Sequence, residues 1–334
     1  MSVLVTGGAG YIGSHMVFAL LDAGEEVVVL DNLSTGFRWA VPDPAYLVVG
    51  EVGDAELVRS LLTRHVVNAI IHFAGSVVVP ESIEDPLAYY RNNTCNSRTI
   101  IQCAVDSGVK HFIFSSTAAV YGMPQSIPVS EGAPLEPISP YGSSKAMTEI
   151  MLRDAARAYD LRYVALRYFN VAGADPRGRS GQSTPHATHL IKVALQAALG
   201  QRPYLEVFGT DYPTPDGTCI RDYIHVSDLI GAHLAALEYL RGGGESVALN
   251  CGYGRGFSVL EVIEAVKRVT GTDFDVQLGP RRPGDPASLV AGTRRIAEAL
   301  NWTARYNDLK AIVGHAHAWE RRLATHHCET ISTK

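Results

Sequence analysis

The sequence predicts an α/β protein with a doubly wound parallel sheet, followed by a smaller mixed α/β region. Apolar runs typical of strands alternate with segments of helical periodicity over the first half of the chain. A glycine-rich turn joins the first run to the first helical segment, and 334 residues suffice for one large or two ordinary domains. We therefore expect a Rossmann-type domain over residues 1–170, with strand and helix returns from later segments, and a mainly substrate-binding domain over residues 171–334.

The first element is a strand over residues 3–5 that runs directly into a glycine-rich turn. Gly7, Gly10 and Gly13 are three residues apart, a spacing that lets the backbone turn tightly and approach a pyrophosphate. Helical periodicity continues to Gly24, so the N-terminus of this helix points to the place where an anion would bind. A glycine triplet alone also occurs in surface turns, and the strand and helix around it favour a dinucleotide site.

The second strand, residues 27–30, ends at Asp31. A carboxylate at this place accepts hydrogen bonds from the adenosine ribose hydroxyls and repels a 2′-phosphate. The sequence therefore predicts NAD, in preference to NADP, as the bound cofactor.

The remaining elements of the first half continue the alternation of strand and helix. Asp54 is a good N-cap for one of the helices, and Pro86 suits the first turn of another. Such alternation implies right-handed βαβ units and a parallel sheet. We expect strands at residues 46–49, 69–73, 111–115 and 162–167, and helices at residues 54–65, 86–107 and 139–159.

Three hydroxyl side chains lie at the carboxyl end of the fifth strand, at Ser115, Ser116 and Thr117. Ligands bind at the carboxyl ends of strands in an open α/β sheet. Pro140 then opens a helix on which Tyr141 and Lys145, four residues apart, share one face. Such a pair alone is usually a solvated helix surface, but after an NAD-binding motif and a strand ending in hydroxyls it indicates a functional site.

The second half of the chain is expected to form the region that binds the substrate. A helix is expected from Thr184-Pro185 to Leu199, a loop over residues 208–221, and helices at residues 227–240 and 258–270. Ser258 and Glu261 have the spacing of a capping box at the start of the last of these.

Composition excludes several functional classes. The net charge of −5 without a basic stripe argues against nucleic-acid binding, and the longest apolar stretch, residues 69–80, is too short to span a bilayer. No signal peptide fits a chain whose strand residues begin at position 2, and five cysteines without CxxC spacing are typical of reduced cytoplasmic thiols. We expect a cytoplasmic protein. The histidines at 315, 317, 326 and 327 are expected on the surface, and no metal site is predicted.

With Tyr141-x-x-x-Lys145 beside the glycine motif, the chain resembles the extended short-chain dehydrogenase/reductase family, and among its branches the sugar-nucleotide epimerases. The resemblance covers nearly the whole chain. Dehydratases of this family carry an acidic residue where this chain has Thr117-Ala118-Ala119, so dehydration is not expected. The stretches that carry the resemblance are residues 4–15, 71–75, 114–117, 120–122, 167–170 and 221–226.

The resemblance implies NAD-dependent C4 epimerisation that interconverts UDP-glucose and UDP-galactose through a 4-keto sugar. It implies that Tyr141 takes the proton of the 4-hydroxyl group, that Thr117 helps to pass it, and that Lys145 holds the nicotinamide ribose. Lowering a tyrosine pKa from about 10 to about 7 requires roughly 4 kcal/mol. A cation about 5 Å away supplies on the order of 3 kcal/mol at an effective dielectric near 20. Lys145 and the charged nicotinamide ring together meet this requirement before desolvation is subtracted.

The family's binding positions are carried over residue by residue. The implied cofactor contacts are Gly7, Gly10, Tyr11, Ile12, Gly13, Asp31, Asn32, Glu51, Val52, Phe73, Ala74, Gly75, Asn92, Ser115, Tyr141, Lys145 and Tyr168. The implied substrate contacts are Thr117, Tyr141, Phe169, Asn170, His189, Leu190, Phe208, Arg221, Arg282, Asp285 and Ser288. The arginines suit the diphosphate, because the guanidinium fork donates paired hydrogen bonds.

Four positions depart from the family pattern. Val77 replaces a lysine near the nicotinamide ribose, Glu51-Val52 replaces an Asp-Ile pair beside the adenine, and His189 replaces an asparagine near the diphosphate. Ser288 stands where a bulky tyrosine restricts some members to unmodified hexoses, so the resemblance implies that N-acetylated sugars also fit.

Three alternatives therefore stay open beside the main one. They are a 4-epimerase of UDP-N-acetylhexosamines, a 4-epimerase of UDP-pentoses, and a non-catalytic NAD-binding regulator. The family is often dimeric, which implies a homodimer formed through the helices at residues 86–107 and 139–159.

Overall fold

The computed structural model describes residues 2–184, 187–282 and 284–331. Its strands are β1 (Ser2–Thr6), β2 (Glu26–Asp31), β3 (Tyr46–Val49), β4 (Val67–His72), β5 (His111–Thr117), β6 (Arg162–Tyr168), β7 (Asn170–Ala172), β8 (Leu205–Phe208), β9 (Ile220–His225), β10 (Val247–Cys251), β11 (Gly256–Ser258), β12 (Val276–Gly279) and β13 (Ser288–Leu289).

The helices are α1 (Tyr11–Asp22), α2 (Ala55–Arg64), α3 (Val79–Glu84), α4 (Pro86–Tyr89), α5 (Asn96–Asp106), α6 (Pro140–Ala158), α7 (Leu190–Ala198), α8 (Val226–Arg241), α9 (Val259–Thr270), α10 (Arg294–Leu300) and α11 (Leu309–Ile331). A π-helical segment, Tyr90–Cys95, joins α4 to α5, so the helix expected over residues 86–107 is present with one wider turn in its middle.

The central sheet is parallel and has the order β10-β6-β5-β4-β1-β2-β3. Neighbouring residues of β1 enter different hydrophobic cores, because side chains alternate across a strand. Val3 and Val5 pack in the core that includes residues of α1 and α8, whereas Leu4 packs in the core that includes residues of α2, α5 and α6. Apolar layers on both faces confirm the doubly wound fold.

The smaller region is built on a second sheet and a third hydrophobic core. β9 lies between β11 and β13 and also pairs with β7, while β8 pairs with β12. Residues of α7, α9 and α11 fill the core beneath these strands. Two elements from the second half return to the central sheet, since α8 packs against α1 and β10 pairs with β6.

The local signals in the sequence had mixed outcomes. The strand at residues 46–49 has the expected bounds, Asp54 caps α2 by accepting from the N–H groups of Glu56 and Leu57, and the capping box of α9 is complete. The helix expected from Thr184-Pro185 was placed too early. It begins at Leu190, because His189 is still extended (φ −66°, ψ 127°); Pro185 lies outside the described residues.

The loop expected over residues 208–221 is shorter than predicted. Phe208 ends β8, and Arg221 belongs to β9, where it pairs with β11 and β13. Pairing with strands that follow much later in the chain is not visible in a local pattern. Within the described part of the chain, no helix is long and apolar enough to cross a membrane.

Candidate active site

The glycine turn between β1 and α1 has the geometry of a dinucleotide cradle. Gly7 has φ +69°, and a Cβ at Gly13 would lie only 2.1 Å from the Gly7 carbonyl oxygen. Only glycine therefore allows α1 to start so close to the turn. The N-cap residue Gly10 is extended and provides no side-chain cap, so the first N–H groups of α1 remain available to an anion. Tyr11 and Ile12 form this first turn.

Asp31 is fixed at the end of β2 by two backbone contacts. Its carboxylate accepts from the N–H of Ala9 at 2.9 Å and from the N–H of Leu33 at 2.8 Å, one on each oxygen. Each oxygen keeps a further acceptor position for a ribose hydroxyl. Nearby, Asn32 donates to the carboxylate of Glu51 at 3.2 Å, and Val52 is buried beside them. The structure therefore brings together the residues expected around the adenosine.

The other half of the predicted cofactor site lies at the end of β4. A Cβ at Gly75 would meet the Asn93 amide oxygen at 2.9 Å and Lys145 Nζ at 3.6 Å, so Ala74-Gly75 passes directly beside the predicted lysine. Asn92 donates to the Ser76 hydroxyl at 2.9 Å, and Asn93 accepts from the Ser76 N–H at 2.8 Å. The π-helical turn thus presents two consecutive asparagines to this edge of the sheet.

Thr117, Tyr141 and Lys145 lie together at the carboxyl end of β5. The hydroxyl groups of Thr117 and Tyr141 are hydrogen-bonded, and Lys145 Nζ donates to the carbonyl of Ser115 at 3.0 Å. All three side chains are buried. The predicted helical face is therefore turned into the sheet edge and away from solvent.

The protonation of this group follows from its burial. Desolvation raises the pKa of Tyr141 above its ordinary value of 10, and the hydrogen bond with Thr117 opposes that rise. Desolvation lowers the pKa of Lys145 from 10.5 to about 8. At neutral pH the chain alone thus holds a neutral phenol beside a lysine that is still mostly protonated. A positive charge brought next to the phenol would favour its ionised form.

Tyr168 and Phe73, both predicted cofactor contacts, line the same edge. The hydroxyl of Tyr168 is hydrogen-bonded to the hydroxyl of Ser115. Burial, with the nearby Tyr141 phenol, raises the pKa of Tyr168, so it stays neutral. The ring of Phe73 packs against His233, with 4.9 Å between ring centroids.

The predicted phosphate-binding arginines come from β9 and from the segment before β13. Arg221 pairs with Asp285 at 2.5 Å, and the guanidinium of Arg282 lies 3.7 Å from the centre of the Phe208 ring. The four residues form two neighbouring pairs, each with one cation. The structure therefore brings the predicted nucleotide contacts together.

A cavity lies where the start of α1 meets α7 and α11. Tyr11, a predicted cofactor contact, lines it together with the predicted substrate contacts Asn170, His189 and Leu190. His189 is held by the side-chain amide of Gln182 at 3.3 Å. Desolvation by the surrounding protein, with the Lys192 charge, lowers the pKa of His189, although the residue is exposed to solvent.

Ser288 and its neighbour Leu289 have different surroundings. Ser288 pairs with Ile220 of β9 and is half-buried. Leu289 instead joins the hydrophobic cluster that contains Phe169 and Ala118, next to Thr117. Leu289 is therefore a candidate for the wall of the sugar site, although it is not among the predicted substrate contacts. An apolar residue in a short strand gives no local signal of this kind.

The expectation that His315 is a surface residue was wrong. It is half-buried, and its Nδ1 lies 2.9 Å from Nε2 of His225, while Nδ1 of His225 accepts from the Ser227 N–H. His225 therefore donates to His315, and the pair joins α11 to the start of α8. His317 is also half-buried, and His326 and His327 have no described side chains.

Comparisons with known proteins agree with this geometry. Residues 3–252 match the NAD dependent epimerase/dehydratase family. The chain is 59% identical to the UDP-glucose 4-epimerase of Azospirillum brasilense, over 96% of this chain and 92% of that protein.

Two solved structures are also close. A UDP-glucose 4-epimerase from Brucella ovis in complex with NAD has a TM-score of 0.92 and 45% identity, covering 95% of this chain and 97% of its own. A UDP-Glc/GlcNAc 4-epimerase from Campylobacter jejuni has a TM-score of 0.84 and 49% identity, covering 96% of this chain and 99% of its own.

Proposed function

Because this chain belongs to the NAD dependent epimerase/dehydratase family, we propose that the group of Thr117, Tyr141 and Lys145 is the reaction centre of a sugar-nucleotide epimerase. The enzyme interconverts UDP-glucose and UDP-galactose at C4 through a 4-keto intermediate, with NAD as its cofactor. The observation that carries the assignment of the site is the burial of the three side chains at the carboxyl end of β5.

The residues around the glycine turn fit NAD. The uncapped first turn of α1 would hold the pyrophosphate, Asp31 the adenosine ribose, and Lys145 with Tyr168 the nicotinamide end. When bound, NAD supplies the oxidation and then the reduction of C4. The carboxylate of Asp31 is already oriented by two backbone N–H groups, so binding requires no rearrangement of that side chain.

Tyr141 acts as the base for the 4-hydroxyl proton and returns a proton to the oxygen when the ketone is reduced. Burial alone opposes this role, because it raises the pKa of the phenol. The Lys145 ammonium and the positive charge of the nicotinamide ring act in the opposite direction. Thr117 donates a hydrogen bond that supports the phenolate and passes the proton towards the sugar.

The nucleotide part of the substrate supplies the affinity, since the sugar must turn over while it is bound. Arg221 and Arg282 are placed to pair with the diphosphate, and Asn170, His189 and Leu190 line the cavity that continues towards α1. Phe208 and Asp285 hold the two arginines in place.

A second substrate class is supported by one relative and by the small side chain at Ser288. The Campylobacter jejuni protein, 49% identical, acts on both UDP-Glc and UDP-GlcNAc. Ser288 leaves room beside β9 where a bulky residue would fill it, and Leu289 contributes an aliphatic wall next to Phe169. We include UDP-N-acetylhexosamines among the proposed substrates for this reason.

The proposed assembly is a homodimer through the helices at residues 86–107 and 139–159. Exposed apolar side chains on these helices include Leu87 (77% exposed), Met147 (43%) and Ile150 (43%). The two helices pack against each other within one chain through α6 and the π-helical segment. A second copy that presents the same surface would cover these side chains.

The division into an NAD-binding domain (residues 1–170, with α8 and β10 returning) and a mainly UDP-sugar-binding domain (residues 171–334) is likewise proposed. It is supported by the separate hydrophobic cores of the two parts. The proposed location is the cytoplasm, consistent with the free thiols of the described cysteines.

The assay is conversion of UDP-galactose to UDP-glucose, followed by NMR, for the wild type and for Tyr141→Phe. We expect the wild type to convert the sugar and Tyr141→Phe to retain bound NAD without conversion. Undiminished activity of Tyr141→Phe would remove the phenol from its role. A wild type that binds NAD but converts no UDP-sugar would instead support a non-catalytic regulator.

A further inference from the structure

Three consecutive residues at the end of β5 contact three residues on consecutive turns of α6. The Thr117 hydroxyl contacts Tyr141, the Ser115 carbonyl accepts from Lys145, and the Ser116 hydroxyl donates to Glu149. Tyr141, Lys145 and Glu149 are spaced by four residues, so they form one row along the buried face of the helix. The first two members of the row belong to the proposed reaction centre, whereas nothing so far assigns a role to Glu149.

Glu149 is paired with an arginine from the neighbouring strand. Arg167 of β6 donates from Nε to the two carboxylate oxygens at 3.0 and 3.1 Å, and from Nη2 to one of them at 2.5 Å. Both side chains are only 6% exposed. Arg167 also donates to the hydroxyl of Tyr121 at 2.9 Å, and that hydroxyl donates to the Asn250 amide oxygen at 2.7 Å.

Arg167 keeps its charge although it is buried. Burial disfavours the Arg167 cation, but the hydrogen bonds and the charge of Glu149 outweigh burial and raise the pKa of Arg167 above its ordinary value. Arg167 and Glu149 thus form a hydrogen-bonded pair in the protein interior. It connects α6, β5 and β6, and through Tyr121 and Asn250 it extends to β10.

Packing alone does not require such a pair. Apolar residues of similar volume are often as stabilising as a buried ion pair, or more so, because two charges must be desolvated. A bidentate arginine–carboxylate contact does, however, allow only a narrow range of geometries. The contact fixes the position of α6 along β5 more strictly than apolar side chains would.

We infer that Glu149 and Arg167 are positioning residues that hold the phenol of Tyr141 and the ammonium of Lys145 in register with Thr117. The inference rests on the proposed epimerase function. A shift of α6 by a fraction of one turn would separate Tyr141 from Thr117 and Lys145 from Ser115 at the same time. The arginines proposed to bind the UDP diphosphate, Arg221 and Arg282, lie outside α6 and would not move with it.

The test compares three variants with the wild-type holoenzyme. Ser116→Ala removes only the hydroxyl that joins β5 to the pair, and it leaves both charges satisfied. Arg167→Lys keeps the positive charge but loses the paired N–H donors of the guanidinium group. Glu149→Gln removes the negative charge and leaves Arg167 buried with fewer acceptors.

A matched control is Asp228→Asn. Asp228 is also buried and accepts from the Tyr253 hydroxyl and from the N–H groups of Arg305 and Tyr306, and none of these bonds reaches α6. Its loss is expected to lower the thermal unfolding midpoint while kcat stays near that of the wild type.

The measurements are kcat and KM for UDP-galactose, the pH dependence of kcat, the amount of co-purified NAD and the unfolding midpoint. A misplacement of about 1 Å lowers rates by roughly 100-fold. We therefore expect Glu149→Gln to lower kcat by roughly that factor and Ser116→Ala by less, with KM and bound NAD nearly unchanged. The acidic limb of the pH profile should move to higher pH in both, because the phenol is less well supported.

The inference is overturned if Ser116→Ala and Arg167→Lys, both folded and loaded with NAD, keep the kcat and the pH profile of the wild type. It is also overturned if kcat falls in proportion to the unfolding midpoint in all variants, Asp228→Asn included. Failure of the wild type itself to convert UDP-galactose would instead contradict the proposed function. The wild-type reaction thus separates the two claims.

Discussion

Lys145 donates from Nζ to the carbonyl oxygen of Ser115 at 3.0 Å, and this bond ties α6 to the end of β5. The ammonium also lies 5.0 Å from the centre of the Phe114 ring, on the same strand. Lys145 is thus buried at a place where it supports the phenol of Tyr141, although burial disfavours its own charge. The site places a destabilised cation where the reaction needs one.

The first prediction concerns the stability of the protein without NAD. The pKa of Lys145 falls from 10.5 to about 8, a difference that corresponds to about 3 kcal/mol against the charged form at pH 7. We expect Lys145→Met to have no epimerase activity and a higher free energy of unfolding than the wild type at pH 7.

The pH dependence of this difference gives the check. Between about pH 8 and 10.5 the folded wild type has released the Lys145 proton, whereas the unfolded chain still binds it. The free energy of unfolding of the wild type therefore rises with pH over this range relative to that of Lys145→Met. The difference in stability between the two proteins becomes smaller. Urea unfolding at several pH values measures it, and a gap that is constant with pH would contradict the assignment.

The second prediction concerns the choice of cofactor. Replacing Asp31 by Ala removes a carboxylate that hydrogen-bonds the ribose hydroxyls, and hydrogen bonds to charged groups contribute roughly 1.5–3 kcal/mol. We expect NAD to bind at least tenfold more weakly and the preference for NAD over NADP to decrease. Titration calorimetry with both dinucleotides measures this. Asp43→Ala, at an exposed position outside the site, is the control, and equal weakening in both variants would refute the role of Asp31.

The third prediction concerns the sugar pocket. We expect the wild type to epimerise UDP-N-acetylgalactosamine as well as UDP-galactose, because Ser288 is small. Ser288→Tyr should lose the N-acetylated substrate and keep UDP-galactose. Leu289→Tyr is the paired variant, since Leu289 belongs to the same hydrophobic cluster as Phe169. If only Leu289→Tyr changes the substrate range, then residue 289, and not residue 288, limits the size of the sugar that fits. No conversion of the N-acetylated sugar by an active wild type would contradict the wider pocket.

The fourth prediction concerns assembly. Light scattering at micromolar concentration should give the mass of a dimer for the wild type and of a monomer for the double variant Leu87→Glu/Ile150→Glu. A charged residue at either position would be buried in the interface without a partner. Leu278→Glu, at an exposed position on β12, is the control and should remain dimeric. A wild type that is only monomeric would refute the proposed interface.

Local patterns in the sequence were sufficient for much of the fold. The run of apolar residues gives the bounds of β3, and the caps at Asp54 and Ser258 fix the start of α2 and α9, because these signals depend on neighbours in the chain. The face shared by Tyr141 and Lys145 follows from helical spacing alone.

Contacts between distant segments were beyond such patterns. Arg167 reaches Glu149 only because β6 lies beside β5 and α6 crosses both, and His315 meets His225 across 90 residues of chain. The environment of Leu289 likewise depends on the pairing of β13 with β9. Such contacts can be predicted only when the order of the strands in the sheets is known.

The most direct test of the central claim is an NMR measurement in deuterated buffer, with the purified protein, UDP-galactose and no added NAD. The account predicts UDP-glucose that retains protium at C4, because the hydrogen removed from C4 is returned to the same carbon inside a buried site. Deuterium at C4 of the product, or no conversion even after NAD is supplied, would contradict it.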